Sequence, residues 1–185
     1  MRIKTTREQR ILYIKTVARW VMYYIIILAS FVIMTSGTWL KPVLLVPAAL
    51  CVSLNSGQYS SAVTGAVCGF LTDIACGRLF GYNAVLLTFF CVISSLLFEL
   101  YLRRKFINYF LITAAVSFIQ CGLDYKFYYQ MWKYEHVSRI FSRYTLRIWI
   151  YTMISSVFVY ILYKITDRFL MPKTHLTIEE AIKTN

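Results

Sequence analysis

A single aspartate, Asp73, stands among regularly spaced glycines in an otherwise apolar stretch, GAVCGFLTDIACGRLFG at residues 65–81. Gly65, Gly69 and Asp73 are four residues apart, and a four-residue step turns an α-helix by about 400°, so they share one helix face. A carboxylate inside a membrane costs about 2.5–3.5 kcal/mol, so it needs protein or water beside it. Two kinds of chemistry fit: accepting hydrogen bonds that fasten the chain, or binding a proton or cation.

The glycine spacing predicts a groove in which a second helix packs closely, because small residues four apart let two backbones approach each other. The candidate partners of Asp73 are Arg78, Asn83 and the backbone of the turn GRLFGYN, which contains Gly81. We favour a structural motif made of Gly65, Gly69, Asp73 and Gly81. A proton or cation site at the aspartate is the alternative.

Composition places this motif in a membrane protein. The 185 residues are 59% hydrophobic, with a mean hydropathy of +0.60, and several apolar runs approach the length of a membrane span. The net charge of +12 is more typical of the basic ends of membrane helices than of nucleic-acid binding. The five cysteines lie in apolar segments without metal-ligand spacing, so neither a metal site nor a disulfide framework is predicted.

We predict an all-α polytopic bundle of six transmembrane helices. The predicted spans are Val17–Thr35, Lys41–Leu54, Tyr59–Cys76, Ala84–Leu102, Phe106–Leu123 and Thr145–Tyr163. The second span contains Pro42 and Pro47, so it is expected to be short or kinked. The predicted organisation is a basic segment at 1–16, a transmembrane domain at 17–164 and a polar tail at 165–185.

The distribution of Lys and Arg predicts that both termini are cytoplasmic. With six crossings and the N-terminus inside, 13 of the 20 cations lie on the inner side and 7 on the outer side. The long charged region before the first apolar run, and the lack of a cleavage site after it, predict a retained span and not a secretory signal.

The connection at 124–144 is rich in aromatic residues, with eight among 21 residues. Either it lies in the outer interface as an aromatic belt, or it binds a partner protein through residues such as Tyr128, Tyr129, Trp132 and Tyr134. Asp124, which begins the connection, is expected to face lipid headgroups.

The segment from Lys41 to about Leu97 resembles the MreD family of rod shape-determining membrane proteins. The matching features are KPVLLVPAALCVSL, a polar turn, and GAVCGFLTDIACGRLFGYNAVLLTFF. The resemblance implies a non-enzymatic subunit of the bacterial cell-elongation machinery in the plasma membrane, without a cofactor. It further implies association with the bitopic protein MreC, and through it with the filament MreB and the peptidoglycan synthases. Gly65, Gly69, Asp73 and Gly81 match the family's motif.

That family in turn is similar to the substrate-binding components of vitamin uptake transporters. A small-molecule binding subunit, with Asp73 in its pocket, is therefore the alternative function. A membrane enzyme is less well supported, because the two histidines, His136 and His175, lie in the connection and the tail.

Overall fold

The computed structural model describes residues 7–36, 42–77, 79–101, 106–127 and 145–170, with side chains from residue 13 onward. These residues form six α-helices and no strand. The helices are α1 (Arg7–Thr35), α2 (Leu45–Asn55), α3 (Gln58–Cys76), α4 (Tyr82–Leu100), α5 (Phe106–Tyr125) and α6 (Leu146–Leu170). The all-helical fold class is confirmed for this part of the chain.

Four of these helices are long and apolar enough to cross a bilayer: α4, α5, α6 and the part of α1 from Tyr13. The helix α3 is as long as α4, at 19 residues, but it carries several hydroxyl residues and Asp73 and is not among the four. The 11 residues of α2 extend about 16 Å, roughly half the 30 Å hydrocarbon core. Pro47 is the third residue of α2, where no intrahelical bond is lost, so α2 is short but not kinked by proline.

The short helix α2 forms the centre of the bundle. Every residue from Leu45 to Leu54 is buried, and α2 contacts each of the other five helices. A helix that is apolar on all sides is expected to be enclosed by others. The space between the longer helices is therefore filled by α2.

A non-helical segment, residues 42–44, leads into α2 from inside the bundle. The backbone N–H of Val43 donates to Thr152 Oγ1 at 3.0 Å. Thr152 is six residues after the beginning of α6, so Val43 lies about 9 Å along that helix from its first residue. Irregular backbone at such depth is stable only where protein surrounds it, and the contact with α6 meets this condition.

The buried face of α5 is largely polar, whereas its exposed face is apolar. On α5 the buried residues are Tyr109, Thr113, Val116, Ser117, Gln120 and Asp124, and the exposed ones include Ile107, Leu111, Phe118 and Ile119. The expectation that Asp124 faces headgroups is wrong: it is 7% exposed and continues the polar face in the last turn of α5. Polar groups turn inward because lipid offers them no hydrogen bonds.

Two helices extend beyond the apolar runs from which their spans were predicted. The helix α1 begins at Arg7, ten residues before Val17, and α6 continues seven residues past Tyr163 to Leu170. Hydropathy marks where lipid contact ends, not where the helical backbone ends. In α6 the added residues contact other helices, as described below.

Candidate functional site

Gly65 and Gly69 lie where α3 touches the backbone of α4. A Cβ atom added to Gly65 would be 2.9 Å from Leu87 O, and one added to Gly69 would be 2.3 Å from Ala84 Cα. No side chain fits at those distances, so glycine is what permits the contact. Of the helix pairs described, α3 and α4 have the most extensive interface.

Asp73 follows on the same face, near the end of α3, and is 1% exposed. Its carboxylate accepts three hydrogen bonds from the beginning of α4. Gly81 N–H donates to Oδ2 at 2.8 Å, while Asn83 donates to Oδ1 through its backbone N–H at 3.2 Å and through Nδ2 at 2.7 Å. These three bonds tie the end of one helix to the start of the next.

The carboxylate takes the place of a missing cap on α4. The N-cap residue is Gly81, which has no side chain to accept a bond from the first N–H groups of the helix. Asp73 accepts two of these N–H groups from across the turn, and its negative charge lies at the positive end of the helix dipole. Gly81 has φ +95°, a conformation that other residues rarely adopt, so the turn itself requires glycine.

A second glycine, Gly77, ends α3 in the left-handed conformation, with φ 61° and its N–H directed at Asp73 O and Ile74 O. Glycine is the usual residue at this position after a helix. Arg78, the charged candidate partner of Asp73, lies outside the described residues. The turn between the helices is thus shaped by two glycines and held by one carboxylate.

Gln120 extends this network to a third helix. Its Nε2 donates to Asn83 Oδ1 at 2.7 Å, and Asn83 and Gln120 are both at least 97% buried. The chain of bonds therefore links α3, α4 and α5 through three side chains. Gln120 was not predicted from the sequence, although an amide within the apolar run of α5 is a signal that could have identified it. We call Asp73, Asn83, Gln120 and the Gly81 backbone the Asp73 cluster.

A second polar cluster lies at the opposite end of the bundle, where α2 and α6 end. Asp167 of α6 accepts hydrogen bonds from the Tyr23 hydroxyl of α1 and from Asn55 Nδ2 of α2. The Arg19 guanidinium lies 5.8 Å from the centre of the Tyr23 ring. Asp167 is half-buried. We call Tyr23, Asn55 and Asp167 the Asp167 cluster.

Sequence reasoning missed the Asp167 cluster because residues from 165 onward were assigned to a polar tail. One signal could have revealed it: the polar stripe Thr152, Ser156, Tyr163 and Thr166 continues at helical spacing up to Asp167. The predicted partner surface, Tyr128, Tyr129, Trp132 and Tyr134, lies outside the described residues. Among the residues that are described, no group of three or more His, Cys, Asp or Glu side chains is placed to hold a metal ion.

The comparison with protein families decides the identity. The family described as rod shape-determining protein MreD matches residues 14–172, which is most of the chain. The chain belongs to the MreD family. The resemblance inferred from residues 41–97 is thereby confirmed, and the matched region includes both polar clusters. No curated protein and no solved structure shows a significant match to the chain.

Membership of the MreD family makes this a rod shape-determining membrane protein. Its described helices include four that are apolar enough to cross a bilayer, which agrees with a membrane location. In this MreD-family bundle the polar side chains are used to join helices, at one end by the Asp73 cluster and at the other by the Asp167 cluster.

Proposed function

We propose that this protein is a non-enzymatic subunit of the bacterial cell-elongation complex, and that it supports cell shape by binding an MreC-like bitopic partner in the plasma membrane. Through that partner it would act on the MreB filament and the peptidoglycan synthases. The observation that carries the proposal is the family match over residues 14–172. The proposal assigns no catalytic residue and no cofactor.

The geometry of Asp73 supports a structural role at its site. The carboxylate accepts three hydrogen bonds, and two of the donors are backbone N–H groups whose positions are fixed by the fold. These bonds stabilise the ionised carboxylate in one place. A group that carries protons or cations has to exchange its partners during each cycle. Fastening the glycine-lined interface between α3 and α4 is therefore the better assignment for Asp73.

We further propose six crossings with both termini in the cytoplasm. The support is the distribution of Lys and Arg, with 13 inside and 7 outside in this topology. The helix α2 would cross only in part as a helix, and residues 42–44 would complete its path within the bundle. The Asp73 cluster would then lie towards the outer face and the Asp167 cluster towards the cytoplasm.

The aromatic residues Tyr128, Tyr129, Trp132 and Tyr134 are proposed as part of the surface that binds the partner. They would lie on the outer side in this topology, and Tyr and Trp are common anchors of protein interfaces. The contact between the tilted rings of Phe127 and Tyr82, with centroids 5.3 Å apart, joins the residues just before this surface to the beginning of α4. By holding the beginning of α4 in place, the Asp73 cluster would also position the residues that precede the partner surface.

The alternative of a vitamin-binding transporter subunit is weakened by the position of α2. A substrate bound inside the bundle would need the central space, and the buried side chains from Leu45 to Leu54 occupy it. A binding subunit of that kind would require α2 to move as a unit.

Depletion in a rod-shaped host, combined with affinity purification, tests the proposed function. We expect depleted cells to lose their rod outline and the tagged protein to recover a bitopic membrane protein. A variant with Tyr128, Tyr129 and Trp132 changed to Ser should reach the membrane at normal levels but recover less partner. Tight binding of a vitamin, together with an unchanged outline after depletion, would contradict the proposal.

A further inference from the structure

An apolar groove runs along the outside of the bundle between α5 and α6. Its walls include Phe110 and Ala114 of α5 and Trp149, Met153, Val157 and Phe158 of α6, and its volume is about 520 Å³. Trp149 is fixed at one end of the groove, because its Nε1 donates to Ala114 O at 3.3 Å. The groove is open on the outside of the bundle, where Ile150, Ile154 and Phe158 are exposed.

Two cations continue the groove on α6. Lys164 and Arg168 follow Val157 by seven and eleven residues, which places both within about 20° of Val157 around the helix axis. Both are exposed. They therefore lie on the face of α6 that forms the groove wall, towards the end at Leu170.

Aromatic rings hold Lys164 at the junction of the two helices. Its Nζ lies 5.8 Å from the centre of the Tyr160 ring. That ring is stacked on Tyr109 of α5 and meets Phe106 edge-on, with a centroid distance of 5.0 Å in both cases. The ammonium group thus lies where α5 and α6 meet, and not on an isolated side of α6.

The spacing of these features matches a phospholipid. Val157 is about 10 Å and Ile154 about 15 Å from Lys164 along the axis of α6. One leaflet of the hydrocarbon core is about 15 Å thick, so an acyl chain below a headgroup at Lys164 would lie against these residues. The alternative occupant is an apolar helix of another protein. Such a helix would not require the two cations that continue the groove at the depth of the headgroups.

We propose that this groove binds an anionic phospholipid, with one acyl chain along Phe110, Met153 and Val157 and the phosphate at Lys164 and Arg168. Cations at the membrane surface attract anionic lipids, and pockets between helices use them to select headgroups. The site shares no residue with either polar cluster or with the proposed partner surface. Its test therefore does not depend on the function in cell shape.

Fluorescence quenching by brominated lipids tests this site when the tryptophan reporter is placed at Phe158, which lines the groove about 9 Å from Lys164 along α6. The chain has four tryptophans, and a variant with Trp20, Trp39, Trp132 and Trp149 changed to Phe and with F158W has a single tryptophan, in the groove. It is reconstituted in phosphatidylcholine vesicles with brominated phosphatidylglycerol or, at the same mole fraction, brominated phosphatidylcholine. We expect the anionic lipid to occupy the groove with roughly fivefold preference for each cation that it contacts.

Charge variants identify the headgroup site. In the same single-tryptophan protein, K164Q with R168Q should reduce the preference to about one. The exchange K164R with R168K should retain most of it. A matched control, K15Q with R147Q, removes the same charge from exposed cations away from this end of the groove and should leave the preference unchanged.

Three results would overturn the proposal. The first is equal quenching by the two brominated lipids, and the second is a preference that survives K164Q with R168Q. The third is the absence of quenching by either lipid, because it would show that a second copy or another protein covers the groove.

Discussion

The two polar clusters both place an aspartate among hydrogen-bond donors, yet they differ in how the chain builds them. In the Asp73 cluster, the bonds of Asp73 itself join α3 and α4 across one turn, and Asp73 is 1% exposed. In the Asp167 cluster, Asp167 of α6 is half-buried. Its partners are Tyr23 of α1 and Asn55 of α2, which lie 144 and 112 positions away in the sequence.

This difference separates two structural tasks. Asp73 caps a neighbouring helix, so its bonds form once the local helical hairpin forms. Asp167 connects the last helix to the first, so its bonds require the whole bundle. The bonds of Asp73 are expected to stabilise the pairing of α3 with α4. Those of Asp167 are expected to stabilise the packing of α6 against α1 and α2.

The largest expected effect is that of Gly69→Ala, at the interface next to the Asp73 cluster. The added Cβ would be 2.3 Å from Ala84 Cα and 2.6 Å from Ala84 N, and backbone atoms cannot move aside. Overpacking of this kind typically costs 1–3 kcal/mol, and we expect a loss of about 3 kcal/mol. Thermal unfolding in detergent, followed by size-exclusion fluorescence, measures it.

Gly122→Ala is the matched control, because it also lies in a helix but nothing stands within 4 Å of the added Cβ. It should leave the protein as stable or slightly more stable, since alanine favours helix over glycine by about 1 kcal/mol. Equal melting temperatures for the two variants would contradict the close contact between α3 and α4.

The next effect in size is that of Asp73→Ala. It leaves the Gly81 N–H, the Asn83 N–H and Asn83 Nδ2 without their acceptor in a buried place. We expect a loss of about 2–3 kcal/mol, the range for unsatisfied buried donors. Hydrogen exchange should increase at the start of α4 and leave α1 unaffected. Increased exchange throughout the bundle would show that the two clusters are not separable.

Asp167→Ala should lower the free energy of unfolding by less, about 1 kcal/mol. Asp167 is half-buried, so water can replace some of the hydrogen bonds that its carboxylate accepts. Hydrogen exchange should increase in α1 and at the end of α6, while the turn between α3 and α4 stays protected. Ile165→Ala, an exposed change on the same helix, is the control. Loss of protection at the turn would contradict the division of tasks between the clusters.

The sequence revealed the local features and missed the distant ones. The structural motif could be predicted because Gly65, Gly69 and Asp73 share a helix face, and the partners Gly81 and Asn83 follow within ten residues. Gln120 is 37 residues beyond Asn83, and only the packing of α5 brings them together.

Helix ends were predicted well where the apolar run and the helix stop together, as at the start of α5. They were missed where a helix leaves the lipid and continues through contacts with other helices. The end of α6 is such a case: Asp167 is a charged residue after an apolar run, and only the helical spacing of the polar residues before it distinguishes it from the start of a solvated tail. Its burial depends on Tyr23 and Asn55, which no local pattern connects to it.

The most direct test of the central claim compares Asp73→Asn with Asp73→Ala in a rod-shaped host depleted of its own protein. The central claim is that Asp73 fastens helices and does not react. The asparagine keeps one acceptor oxygen, so we expect rod outlines to be restored in proportion to the amount of folded protein in the membrane, measured by immunoblot. Asp73→Ala should yield less folded protein and rounder cells. Round cells that contain Asp73→Asn at normal folded levels would contradict the account, because they would show that the ionisable group itself is needed.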